Sequence, residues 1–252
     1  MRYERNYLSQ VILRIDFASL PALKTSARPA LSNRIEALFP KLSLKPMAQI
    51  SFNLGPGGAA MNQESLGMSY EHRRGDGATP VVTLTHDSLT FECSKEYSHF
   101  AQFRADADPI VGAFADLHPD AIVNRIGLRY INEISIPEGN ALQWDGLINP
   151  ALVASTLAAI PVGMRVARSL HQLQTFTDDS TTVLMHYGLA NPDYPNEVVR
   201  RQFVIDIDAS RTGPFGVGQV VQSAQALNAH CESIFESSIA DGLRNLMGVI
   251  DE

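Results

Sequence analysis

Cysteine is nearly absent from this chain of 252 residues: Cys93 and Cys231 lie far apart, with no CxxC spacing. That argues against a disulfide framework and against a zinc ribbon. Lysine is scarce too, four residues beside sixteen arginines, and the formal net charge is −7. An acidic surface repels nucleic-acid phosphate and anionic lipid unless one face is locally basic. No apolar run approaches the ~18 residues of a membrane span, and the polar start Met1–Asn6 is followed by no apolar leader segment. The expected setting is therefore cytoplasmic. The serine-hydrolase GxSxG, the metalloprotease HExxH and the kinase motifs are also missing. No cofactor or metal is implied, and the balance leans away from an enzyme.

What is present is an ordinary globular composition, 45% apolar and 19% charged. A chain this long buries enough surface for a core without staples. Residues 7–17 alternate, with Val11, Leu13, Ile15 and Phe17 on one face, which predicts a half-buried strand. Pro29 opens a short helix carrying Leu31, Ile35, Leu38 and Phe39. Residues 47–54 read as a strand ending at Gly55-Pro56-Gly57-Gly58, with a polar hairpin region beyond it to about Arg74. Val81–Thr85 and Leu89–Cys93 form a hairpin, and Ser98 caps a helix to about Leu117 that Pro109 kinks or splits.

The second half opens on the strongest strand, 121–136, with Ile122, Ile126, Leu128, Tyr130 and Ile134 on one face. A helix near 147–159, strands near 163–176, 181–190 and 199–208, and a last helix from 218 to 247 follow. The stripe of that helix is Val220, Leu227, Cys231, Ile234, Phe235, Ile239, Leu243 and Leu246, and Phe235, Leu243 and Leu246 are expected in the core. Both halves thus run strand, helix, several strands, long helix. The predicted fold is α+β: two similar units, 1–120 and 121–252, each a mainly antiparallel sheet with a long helix on one face, packed separately or fused into one domain.

Three stretches carry a resemblance: Tyr7–Leu13 with Phe39-Pro40; Asn124–Asn132; and Ala229–Phe235 with Ser238-Ile239 and Leu246–Gly248. Together they resemble a sporadically distributed family of bacterial proteins of about this length, for which no activity is known. The resemblance implies an accessory role, in regulation or in conflict with phages, and it assigns no catalytic residue.

Candidate sites follow from residue chemistry. Arg125 and Arg129 share the polar face of strand 121–136, about 13 Å apart, and could hold an anion bidentately. The competing reading pairs them with Glu133 and with neighbouring acids such as Asp16. Tyr130 and Asn132 sit on the apolar face, where Asn132 needs partners. A two-residue turn at Asp178-Asp179 would set His171 directly opposite His186, ~5 Å apart; two imidazoles alone do not make a zinc site. Asp206 and Asp208 share a strand face. Gly213–Gly218 reads as a flexible connector rather than a phosphate cradle, since no Lys-Ser/Thr follows. The expected function is a non-enzymatic binding or regulatory protein that recognises a protein partner or small ligand. The rival is an enzyme or sensor for a phosphorylated or carboxylated small molecule, working through Arg125 and Arg129.

Overall fold

The computed structural model describes residues 2–55, 58–75, 79–94, 97–157 and 160–250. The chain runs β1 (Arg2–Tyr3), β2 (Leu8–Phe17), α1 (Ala22–Thr25), α2 (Ala30–Ile35), β3 (Lys41–Gly55), β4 (Gly58–Arg73), β5 (Val81–Leu84), β6 (Ser88–Cys93) and α3 (Phe100–Leu117). It continues with β7 (Ile122–Ser135), α4 (Pro150–Leu157), β8 (Ser169–Phe176), β9 (Thr182–Leu189), β10 (Gln202–Gly216), α5 (Val220–Ser238), α6 (Asp241–Met247) and β11 (Val249–Ile250). The Pro56-Gly57 part of the predicted glycine-rich turn lies outside the described residues.

Nine strands form one antiparallel sheet in the order β3-β4-β5-β6-β2-β7-β10-β9-β8. The α+β class is therefore correct, and the two halves join in a single sheet through the central β2–β7 pair. Alternation decides the layers. Val11, Leu13, Ile15 and Phe17 of β2, Ile126, Leu128 and Ile134 of β7, and Phe203, Ile205 and Ile207 of β10 all turn to one side and are buried. α3 and α5 cover that side. Each such side chain removed from water contributes roughly 1.5–3 kcal/mol. The opposite side carries the polar halves of the same strands.

Several local expectations change. The helix expected from 218 to 247 is two helices. α5 stops at Ser238 because Ile239 forms a bridge with Ile148, and α6 restarts at Asp241. The break resets the helical phase: Leu243 is fully buried, but Leu246 is 47% exposed. The 163–176 strand begins only at Ser169, and the strand expected to end near 208 runs on to Gly216. Gly213–Gly216 is therefore the end of β10, not a loop. Phe215 and Gly216 pair with Val123 and Ile122 beyond a register shift. A Cβ on Gly213 would meet the Val123 carbonyl oxygen at 2.1 Å, so the bulge requires glycine.

Candidate functional site

A side-chain assembly around a cavity lies on the helix side of the sheet, where the N-terminal segment, the start of α3 and the middle of α5 meet. The cavity is about 130 Å³, lined by Tyr3, Tyr97, Phe100, Tyr130, Asn228 and Glu232 among others. An apolar cavity of about 150 Å³ holds a benzene ring, so this one has room for roughly one ring-sized group.

A hydrogen-bond relay crosses it. The Tyr130 hydroxyl donates to Asn228 Oδ1 at 2.6 Å, and Asn228 Nδ2 donates to Glu232 Oε1 at 3.0 Å. A carboxylate only accepts, which fixes the amide orientation. Tyr97 Oη lies 3.4 Å from Tyr130 Oη. With the Tyr130 proton committed to Asn228, Tyr97 is the donor in that contact. Beside the relay, the Tyr3 hydroxyl donates to Glu236 Oε1 at 2.7 Å, and Arg244 Nε donates to Glu236 Oε2 at 3.2 Å. Every hydroxyl proton named here is spent on a neighbour. What the relay leaves toward the cavity is acceptor capacity: the Tyr97 oxygen and the remaining valences of the Glu232 carboxylate. The lining includes no lysine or arginine; its one imidazole, His99, lies with Nδ1 3.0 Å from Ser98 Oγ.

Burial tunes these groups. It pushes the Tyr97 phenol up to about 12 and holds the Tyr130 phenol well above the ordinary tyrosine range. Cys231, also in the lining, donates weakly to the Leu128 carbonyl. Burial pushes its thiol up to about 12, so it stays protonated and is a poor nucleophile. Asn132 is 4% exposed and meets its need for a partner by donating to the Ile205 carbonyl at 3.1 Å.

The residues singled out in the sequence lie elsewhere. Arg125 and Arg129 do share a face, the uncovered one, and acids occupy them. Arg129 forks onto Asp206 (Nε–Oδ1 2.7 Å, Nη2–Oδ2 2.6 Å). Arg125 Nη2 bonds both carboxylate oxygens of Asp208, with Asp16 at 3.7 Å. The Arg125 guanidinium lies over Gly127, where a Cβ would come within 2.6 Å of Nη1. Asp208 is raised above its ordinary value because burial outweighs the nearby arginines.

The histidine pairing is overturned. His171 pairs with Tyr187, and His186 pairs with Gln172, so the two imidazoles point to opposite faces. The cause is the turn. Phe176 pairs with Thr182, the Thr177 amide donates to the Thr181 carbonyl, and Ser180 takes φ 64°. That is a three-residue loop with a left-handed third residue, not a two-residue turn, and one extra residue flips every side chain beyond it. His171 instead stacks on Tyr187, and His186 lies 3.1 Å from Gln172 Oε1 and 3.8 Å from Asp206. Among the described residues, no three His, Cys, Asp or Glu side chains converge as a metal set.

Sequence reasoning missed Tyr97, Asn228 and Glu232. The legible signal was a polar pair four residues apart, Asn228 and Glu232, running beside the apolar stripe of the last helix. All three stretches that carry the family resemblance meet at this cavity: Leu8 from the first, Tyr130 and Asn132 from the second, and Cys231, Glu232, Phe235 and Met247 from the third. No protein-family model matches the chain, and no curated protein matches it. No described helix is long and apolar enough to cross a membrane.

Proposed function

We propose that this protein is a non-catalytic binding or regulatory protein of an accessory bacterial system, and that it takes a small ligand in the cavity beside α5. The supporting observation is the one-directional relay from Tyr97 through Tyr130 and Asn228 to Glu232, which presents acceptors within aromatic walls. The complementary ligand carries a cationic or donor-rich group, such as an amine, on a compact apolar body. A carboxylate or phosphate ligand would meet the Glu232 and Glu236 carboxylates here, in a lining with no lysine or arginine.

Calorimetric titration with ring-bearing amines, and with the matched alcohols and carboxylates, tests this reading. The amines are expected to bind, with Tyr97→Phe and Glu232→Gln weakening them about tenfold or more, in line with a lost charge-assisted bond. Selective binding of carboxylates or phosphates that depends on Arg125 and Arg129 would overturn it in favour of an anion sensor.

The halves 1–120 and 121–252 are, in this proposal, related units. Within the nine-stranded sheet, the first strand of each half pairs with the last strand of that half (β2 with β6, β7 with β10), and a long helix follows that last strand. Superposing the two halves should align at least three strands and one long helix; a poorer match rejects a common origin.

A further inference from the structure

We propose that β8 is the seam of a two-fold homodimer, in which the β8 strands of two copies pair antiparallel about Leu173. β8 is one of the two edge strands of the sheet. Gln172, Leu173, Gln174, Thr175 and Phe176 are exposed in succession, with Leu173 at 47% and Phe176 at 74%. An edge strand presents unpaired backbone donors and acceptors, and monomeric proteins usually blunt such edges with charge or proline. The opposite edge follows that rule: β3 carries Lys41, Lys45 and Pro46. β8, Ser-Leu-His-Gln-Leu-Gln-Thr-Phe, carries no lysine, arginine, acid or proline. In a chain of net charge −7, it is a neutral strip along which two acidic molecules can meet.

The sequence of β8 is complementary to itself in one register. With Leu173 opposite Leu173 of the second copy, Leu170 faces Phe176, Gln172 faces Gln174, and His171 faces Thr175. Each pair falls on one face of the extended sheet, and each is apolar with apolar or polar with polar. Two residues beyond the Leu170–Phe176 pair at each end, exposed Arg168 comes opposite exposed Asp178 of the second copy, and the two-fold repeats that pair at the other end. On the helix side, a groove of about 280 Å³ lined by Leu152, Leu173, Met185 and Ile234 gives the second copy's Leu173 a place to pack. The contact is isologous, so it closes on two copies and does not propagate.

Leu173→Cys provides the register test, because a residue on the two-fold faces its own copy. Mild oxidation is expected to give a covalent dimer from Leu173→Cys alone. Leu170→Cys should cross-link only when mixed with Phe176→Cys. Wild-type Cys93 and Cys231 are buried and should give none. Light scattering of the wild type should return twice 27.6 kDa. Arg168→Glu should weaken the dimer about tenfold, and adding Asp178→Arg should restore it. A monomeric mass for the wild type overturns the proposal, including the case of a monomer that accepts a foreign peptide strand at β8. So does a dimer in which Leu173→Cys fails to cross-link.

Discussion

His72 is a titratable side chain enclosed in the core. It and Ser32 are each 1% exposed, with His72 Nε2 2.8 Å from Ser32 Oγ, beneath the β4–β5 end of the sheet. Burial holds its imidazole below the ordinary histidine value. The neutral ring is therefore the form the fold prefers, and the unfolded chain takes up its proton first. The stability this contributes is complete above about pH 6.5 and is lost as pH falls toward the lowered folded value. Urea unfolding followed from pH 8 to 5 should show stability falling below about pH 6.5, with a slope of up to about 1.4 kcal/mol per pH unit from this one group. His72→Gln should flatten the profile; an equally steep one would place the proton uptake elsewhere, with half-buried His118, also lowered, the next group to replace.

The last two helices show where periodicity stops being informative. Leu243 and Leu246 both continue the stripe of one long predicted helix, but the Ile239–Ile148 bridge interrupts the chain between them and the rest. The α6 axis then follows its own packing. Leu243→Ala should cost roughly 2–5 kcal/mol, as for a fully buried leucine. Leu246→Ala should cost less than about 1 kcal/mol, since that side chain is half in water. Chemical-denaturation midpoints decide this: equal losses would mean α5 and α6 act as one continuous helix. The β8–β9 hairpin carries the same lesson. Thr177-Asp178-Asp179-Ser180 announces a turn, and its length, not its composition, sets which face each histidine takes.

At the scale of the molecule, one sheet separates two chemistries. Its helix side holds the core and the Tyr97–Glu232 relay. Its uncovered side holds an arginine–aspartate ladder in which Arg129 and Asp206 neutralise each other at 2.6–2.7 Å. The split follows from strand alternation: along β7, Arg125 and Arg129 take one phase, and Ile126, Leu128, Tyr130 and Asn132 the other. A ligand that reads Tyr130 therefore cannot touch Arg129 without crossing the sheet.

The alternation of β2, β7 and β10 was legible in the sequence because a period of two is written directly in residue order. So were the α+β class, the long helices, the presence of a turn at 177–180, and the unusual placement of Tyr130 and Asn132 on an apolar face. Pairing of β2 with β7, the loop length that separates His171 from His186, the break at Ile239 and the occupation of Arg125 and Arg129 by Asp208 and Asp206 were not. Each depends on residues tens of positions apart, or on a one-residue choice between nearly equal turn geometries, and neither leaves a periodic trace. The relay needed both levels. The sequence by itself determined that polar groups would lie among apolar ones on β7 and α5. Only the packing of α5 across β7 and β10 brought Asn228 within 2.6 Å of Tyr130, because burial forces each such group to find its partner on whichever element covers it.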